Sequence, residues 1–75
     1  MKANEAVREV MDRRGVGTNA LASRMGNKPP RLVSDRLRME NISMDKLLEM
    51  LRVMDYRVIV APRESGVPKD GIVIE

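Results

Sequence analysis

The 75-residue sequence contains no cysteine and no histidine. Disulfides are therefore impossible, and a structural zinc site is not expected because zinc prefers Cys and His ligands. The same two absences remove the usual nucleophile–base pairs of enzymes, so we expect no catalytic residue, no metal and no cofactor. Phe and Trp are also missing, and Tyr56 is the only aromatic residue. We expect the seven methionines, Met39, Met44, Met50 and Met54 among them, to fill the core in their place.

The short chain predicts a single domain and a partner copy. Domains commonly contain about 50–200 residues, so 75 residues form one domain at most. Small folds with a limited core are often stabilised by disulfides, by a metal or by another chain. Because the first two are excluded, we expect a homodimer.

Long apolar runs are absent too. No uncharged stretch approaches the roughly 20 residues that span a bilayer. Charged side chains interrupt the first dozen positions, so an apolar signal-peptide core cannot form there. The absence of cysteine is compatible with a reducing compartment. We therefore expect a cytoplasmic protein with no membrane contact.

The net charge of +3 conceals an uneven distribution. Residues 1–38 carry nine Lys or Arg against four acids, a balance of +5, whereas residues 39–75 carry five against seven, a balance of −2. A basic half suggests a polyanionic partner. An ordinary solvated surface would explain the charge alone about equally well.

Apolar residues spaced three and four apart predict four helices. Their predicted ranges are residues 5–14, 18–25, 30–38 and 44–54. Asn4 and Ser43 are expected to cap the first and fourth helices at their N-termini, and Gly17 or Thr18 the second. Gly15 and Gly26 should end the first two helices, Pro30 should begin the third, and Asp55 should follow the fourth in a left-handed conformation.

The C-terminal part has a different character. YRVIVA, residues 56–61, is rich in β-branched side chains and predicts a strand, followed by a loop over 62–70 with a turn at 68–71. The closing IVIE suggests a second short strand. A lone strand needs a partner, either residues 72–75 of its own chain, the same strand of a second copy, or both.

Pairing across a two-fold axis fits the strand best, because it also supplies the dimer. Residues 56–75 are therefore assigned to dimerisation. The expected contact residues are Tyr56, Val58, Ile59 and Val60. The sequence leaves open whether residues 71–75 pair within or between chains.

The third predicted helix has two distinct faces at 100° per residue. One face should point into the core and contains Leu32, Val33, Leu37 and Pro30. The opposite face is polar and contains Arg31, Ser34, Asp35 and Arg38. Arg36 lies near the boundary, where its stem can be buried while its charge reaches water.

The segment GVGTNALASRMG resembles the first half of the phage-repressor-like helix-turn-helix family of the xenobiotic-response-element (XRE) type. Leu21, Ala22 and Gly26 stand where that family has a leucine, a small mid-helix residue and the turn glycine. VSDRL and ENISMDKLLEMLRVMDYRV are similar to its third and fourth helices and to a C-terminal strand of some members. The resemblance covers about residues 5–61.

The resemblance implies a mainly α fold, a lambda-repressor-like helix-turn-helix domain of four helices followed by a C-terminal β-strand. The DNA-binding domain would comprise residues 1–55, with the helix-turn-helix at 18–38. The sequence departs from the family pattern in two places. Thr18 stands where the family usually has a long polar residue, and the turn is one residue longer than usual if Val33 is the inward residue. If Leu32 points inward instead, no insertion is needed, but Asp35 falls on a normally apolar position.

A helix-turn-helix places its second helix in the major groove, so we expect a sequence-specific, double-stranded-DNA-binding transcriptional regulator of repressor or antitoxin type. A dimer would read a palindromic operator with two helices about 34 Å apart. Arg31 and Arg38 could contact guanine, Ser34 could donate or accept, and Asp35 could contact cytosine or brace an arginine. The expected phosphate contacts are Thr18, Asn19, Arg24, Lys28 and, at the start of the fourth helix, Asn41.

Two other functions remain open at this point. A protein-interaction module, such as an antitoxin that masks a toxin, would use the acidic half at residues 39–75. An RNA-binding protein is the weaker alternative, because single-stranded RNA recognition depends on aromatic stacking. The operator and the sign of regulation do not follow from the sequence.

Overall fold

The computed structural model describes residues 1–63 and 71–75. They form α1 (Ala3–Arg14), α2 (Thr18–Arg24), α3 (Pro30–Leu37), α4 (Met44–Arg52), β1 (Val58–Val60) and β2 (Ile72–Ile74). The chain is therefore mainly helical with a two-stranded antiparallel sheet, as predicted at this level. The predicted turn at 68–71, except for its last residue, and most of the predicted loop at 62–70 lie outside the described residues. Within the described ranges, no helix combines the length and apolarity needed to cross a membrane.

The first helix starts two residues earlier than predicted. Its N-cap is Lys2, which makes no side-chain capping bond, so the predicted Asn4 cap is wrong. Asn4 lies inside α1, where its amide instead donates to the Leu37 carbonyl 3.0 Å away. Its Oδ1, the atom that an N-cap would use, accepts from the adjacent Glu5 N–H at 2.9 Å. Gly15 ends α1 at φ 64°, as predicted.

The turn between α2 and α3 contains two left-handed residues. Gly26 has φ 91°, as expected of the turn glycine, and Asn27 follows at φ 56°. The backbone N–H of Lys28 then donates to the Ala22 carbonyl at 2.9 Å, which closes the turn back onto α2. Pro30 is the first residue of α3, as predicted. This tight connection fixes how α3 lies against α2.

A single apolar core joins the four helices. Val7 of α1, Leu21 of α2, Val33 of α3 and Met50 of α4 are fully buried and contribute to one cluster. Such close packing of aliphatic side chains is what the helical spacing predicted. The domain is thus held together mainly by contacts among the helices.

The predicted role of methionine in the core is correct for only part of the set. Met50 and Met54 are buried, whereas Met39 and Met44 are 41% and 45% exposed. Met39 lies in the connection from α3 to α4, and Met44 is the first residue of α4. Ser43 caps α4 by accepting from the Lys46 N–H, as predicted.

Helix α4 ends at Arg52, two residues before the predicted boundary. Asp55 adopts the predicted left-handed conformation at φ 61°. The chain then turns into β1, which is three residues long and therefore shorter than the predicted strand over 56–61.

The two strands pair within one chain. Val58 lies opposite Ile74, Ile59 opposite Val73 and Val60 opposite Ile72. The structure therefore contains the pairing of residues 56–61 with the chain's own C-terminal strand, one of the three predicted possibilities. The hairpin formed by β1 and β2 contacts the helical core through Val58. Val60 and Ile72, which pair at the end of the sheet away from Val58, are 52% and 69% exposed.

Candidate nucleic-acid interface

The inner face of α3 is anchored in the core. Val33 is fully buried, Leu37 is buried, and Leu32 is partly buried against the same cluster. The predicted inward positions of Leu32, Val33 and Leu37 are therefore confirmed, whereas the inward position predicted for Pro30 is wrong, because that residue begins α3 and is exposed. Because Val33 is more deeply buried than Leu32, the packing favours the longer of the two turn alternatives and leaves Asp35 on the exposed side.

A side chain on α3 also ties that helix to α4. The Arg36 guanidinium pairs with the Glu49 carboxylate, and only 12% of the Arg36 side chain is exposed. Arg36 lies near the boundary of the buried face, as predicted, and its aliphatic stem covers apolar surface. The pair restricts rotation of α3 about its own axis.

The C-terminal end of α3 is held by α1. The Leu37 carbonyl accepts from Asn4 Nδ2 at 3.0 Å and from Arg8 Nη2 at 3.1 Å. Helix ends leave carbonyls without intrahelical partners, and a cation near them is favourable. These two contacts were not predicted from the sequence. The spacing of four between Asn4 and Arg8, which puts both on one face of α1, was the available signal.

The outward face of α3 is free of such structural contacts. The Arg31 side chain is 90% exposed, and its Nε lies 3.9 Å from Asp35 Oδ2. This confirms the predicted bracing of Arg31 by Asp35, although a pair so exposed contributes little to stability. Arg38 is exposed and Ser34 is half-buried. Arg31 and Arg38 can therefore reach an external partner without leaving a fold contact.

The predicted phosphate contacts lie on α2, in the turn before α3 and in the connection from α3 to α4. Asn19, Arg24, Lys28 and Asn41 are exposed, while Thr18 is half-buried. Among the nine candidate residues, within the described part of the chain, the only ion pair between side chains is that between Arg31 and Asp35. The other candidates occupy α2, the turn, α3 and the connection to α4.

The candidate residues carry four positive charges and one negative charge. The cations are Arg24, Lys28, Arg31 and Arg38, and the acid is Asp35. An excess of cations on one exposed region attracts a polyanion and steers its approach. The start of α4 contributes less to this attraction, because Asp45 lies in its first turn and Ser43 already occupies the Lys46 N–H.

A shallow groove runs beside the outward face and was not predicted. It has a volume of about 380 Å³, and its apolar lining comes from Pro29, Leu32 and Met39. Its polar lining comprises Arg31, Asp35, Arg36 and Lys46. The spacing of seven between Leu32 and Met39, two helical turns, was the signal that could have found it.

The predicted dimer residues have unequal exposure. Tyr56 lies under the Arg14 guanidinium, whose carbon is 5.2 Å from the ring centroid, and Val58 contacts the core. Ile59 is half-buried, whereas Val60 is 52% exposed. The most exposed apolar residue of the hairpin is Ile72, at 69%, which was not among the named contacts.

The chain matches no protein family, no curated protein sequence and no solved structure.

Proposed function

We propose that this protein is a sequence-specific, double-stranded-DNA-binding transcriptional regulator with a helix-turn-helix domain at residues 1–55. The outward face of α3 carries the proposal, because it presents Arg31 and Arg38 to solvent while Val33 and Leu37 anchor the helix from behind. An α-helix fits the major groove, where a forked guanidinium can pair with guanine.

The phosphate backbone would be held by the surrounding cations. Arg24 ends α2 and Lys28 lies in the turn, so both flank the entry to α3. Such contacts position a protein on DNA without reading its sequence. In this arrangement Arg31 and Arg38 select the base pairs, and Arg24 and Lys28 supply affinity for any duplex.

The first test separates residues that read the base sequence from residues that only position the protein on the phosphate backbone. Duplexes selected from a random pool would be titrated with wild type and variants by fluorescence anisotropy over a range of salt concentrations. Arg31→Ala should lose about 1–3 kcal/mol of discrimination between the selected site and scrambled DNA. Lys28→Ala should weaken binding to both alike and reduce the salt slope by about one phosphate contact.

Two further variants make the test specific. Arg31→Lys keeps the charge but loses the forked geometry, so discrimination should still fall. Arg52→Ala removes an exposed arginine from the far end of α4 and should change neither quantity. An absence of binding to every duplex at low salt would reject the proposal, and tighter binding to RNA would favour the RNA-binding alternative.

The proposed regulator acts as a homodimer that associates through the β1–β2 hairpin. Val60, Ile72 and Val73 are 52%, 69% and 38% exposed, an apolar surface on a small protein. Two-stranded sheets are marginal in water and leave open edges. A second copy that pairs with the hairpin about a two-fold axis would cover both the exposed apolar surface and the open strand edges.

Light scattering tests the dimer directly. Ile72→Lys places a charge on the exposed hairpin and should halve the mass at micromolar concentration while the helical signal in circular dichroism persists. Met44→Lys, on an exposed methionine outside the hairpin, is the control and should leave the mass unchanged. A wild-type monomer would contradict the dimer and would favour the alternative in which this surface binds a partner protein such as a toxin.

A further inference from the structure

The groove beside α3 combines two kinds of chemistry. Pro29, Leu32 and Met39 supply apolar surface. Met39 is 41% exposed, because no other apolar element of the described chain covers it. Arg31 and Lys46 supply positive charge beside that surface. A fitting ligand must therefore offer an apolar group next to negative charge or hydrogen-bond acceptors.

We propose that this groove receives the C5-methyl group of thymine in the major groove of DNA, so that Leu32 and Met39 determine specificity. This inference rests on the proposed function. The thymine methyl is the apolar group that the major groove exposes, and it lies beside base acceptors and phosphates. The charge of the lining complements those groups, since Arg31 and Lys46 line the groove beside the single acid Asp35, while Arg36 is paired with Glu49.

The position of Leu32 narrows the expected site. Arg31 and Leu32 are successive residues in the first turn of α3, and the N-terminal part of a reading helix lies closest to the bases. Successive helical residues rise by about 1.5 Å, less than the spacing of one base pair. A thymine read by Leu32 should therefore lie within one or two base pairs of the guanine contacted by Arg31.

Deoxyuridine provides the probe, because it differs from thymidine only by the missing methyl group. Each thymine of a selected duplex would be replaced singly, and the Kd of the full-length protein would be measured by fluorescence anisotropy. At one or two positions the replacement should weaken wild-type binding about fourfold, the effect expected for one buried methyl group. That penalty should shrink in Leu32→Ala and in Met39→Ala.

Met44→Ala is the matched control, because Met44 has nearly the same exposure as Met39 but does not line the groove. The Met44→Ala variant should therefore keep the full loss of affinity that deoxyuridine causes in the wild type. Since Leu32 also packs against the core, Met39→Ala decides the outcome if Leu32→Ala fails to fold.

Three results would overturn the inference in distinguishable ways. Tolerance of deoxyuridine at every position, or an equal penalty in wild type and Met39→Ala, would remove the thymine contact while leaving the DNA-binding proposal intact. If Met39→Ala weakened binding to the thymidine and deoxyuridine duplexes equally and also abolished the dimer, the groove would be assigned to contact with a second copy. Failure to bind any duplex would reject the proposed function itself.

Discussion

The helical body and the C-terminal hairpin use similar aliphatic residues in opposite ways. In the body, Val7, Val33 and Leu21 are fully buried by neighbouring helices. In the hairpin, Val60 and Ile72 stand more than half exposed although both lie in regular strands. The same hydrophobic character thus stabilises the chain internally in one region and remains available to a partner in the other.

The difference follows from geometry. Four helices can surround a common centre, so each contributes one face to a shared core. A hairpin of two three-residue strands covers little surface, and only Val58 contacts that core. Regular secondary structure therefore does not imply burial, and the exposed fraction of the side chains distinguishes the part that packs around a core from the part that stays largely exposed.

The largest expected effect tests this contrast directly. Leu21→Ala should cost about 2–5 kcal/mol of unfolding free energy, because it opens a cavity in a fully buried position. A 75-residue domain has about 4–11 kcal/mol in total, so this loss is severe. Ile72→Ala should cost about 0.5 kcal/mol or less in the monomer. Urea unfolding at equal, low protein concentration measures both, and similar losses would break the distinction.

A smaller effect is expected at the turn before α3, where the cost of a substitution depends on backbone conformation rather than on side-chain packing. Gly26→Ala should cost about 1–2 kcal/mol, because φ is 91° while the space around a Cβ is open. Gly17→Ala also meets open space, and φ at this N-cap is −85°. The change should be nearly neutral, because alanine is a poorer N-cap than glycine but also lowers the entropy of the unfolded chain. Urea unfolding of the pair measures the difference. Equal costs would contradict the role of the positive φ at Gly26, because a Cβ meets open space at both positions.

The smallest effect concerns the link between α1 and α3. Asn4→Ala removes one of two donors to the Leu37 carbonyl and should cost about 0.5–1 kcal/mol, since Arg8 still donates. Glu9→Ala removes the exposed i,i+4 pair with Arg13 and should cost less than Asn4→Ala, because exposed ion pairs contribute little to stability. Thermal unfolding would rank them. A larger loss for Glu9→Ala would contradict the structural role of Asn4.

The Glu9–Arg13 pair remains charged in this experiment. The hydrogen bond from Arg13 Nε to Glu9 and the adjacent negative charge raise the pKa of the Arg13 guanidinium above its already high ordinary value. Raising the pH within the physiological range therefore does not remove the ion pair.

Features that depend on the local sequence were predictable. The left-handed conformations of Gly15, Gly26 and Asp55 follow from residue type and position, and so do the cap at Ser43 and the start of α3 at Pro30. The buried face of α3 follows from helical periodicity, because a period of 3.6 assigns each side chain to a side. In each case the deciding interaction lies within a few residues.

Features that depend on distant contacts were not predictable. Asn4 resembles a cap in sequence, but the Leu37 carbonyl that binds it lies 33 residues away. Met39 has core-like chemistry but falls outside the helical stripe, in the connection to α4. The pairing of β1 with β2 was one of several possibilities, because strand patterns specify faces but not partners.

The anchoring of α3 separates stability from recognition. Arg36, the Leu37 carbonyl and the buried Val33 hold the helix through contacts on its inner side and at its end. The outward positions 31, 35 and 38 can therefore change their side chains at small cost to folding. If the proposed function holds, evolution or design can change those three positions to alter base preference while the scaffold stays intact.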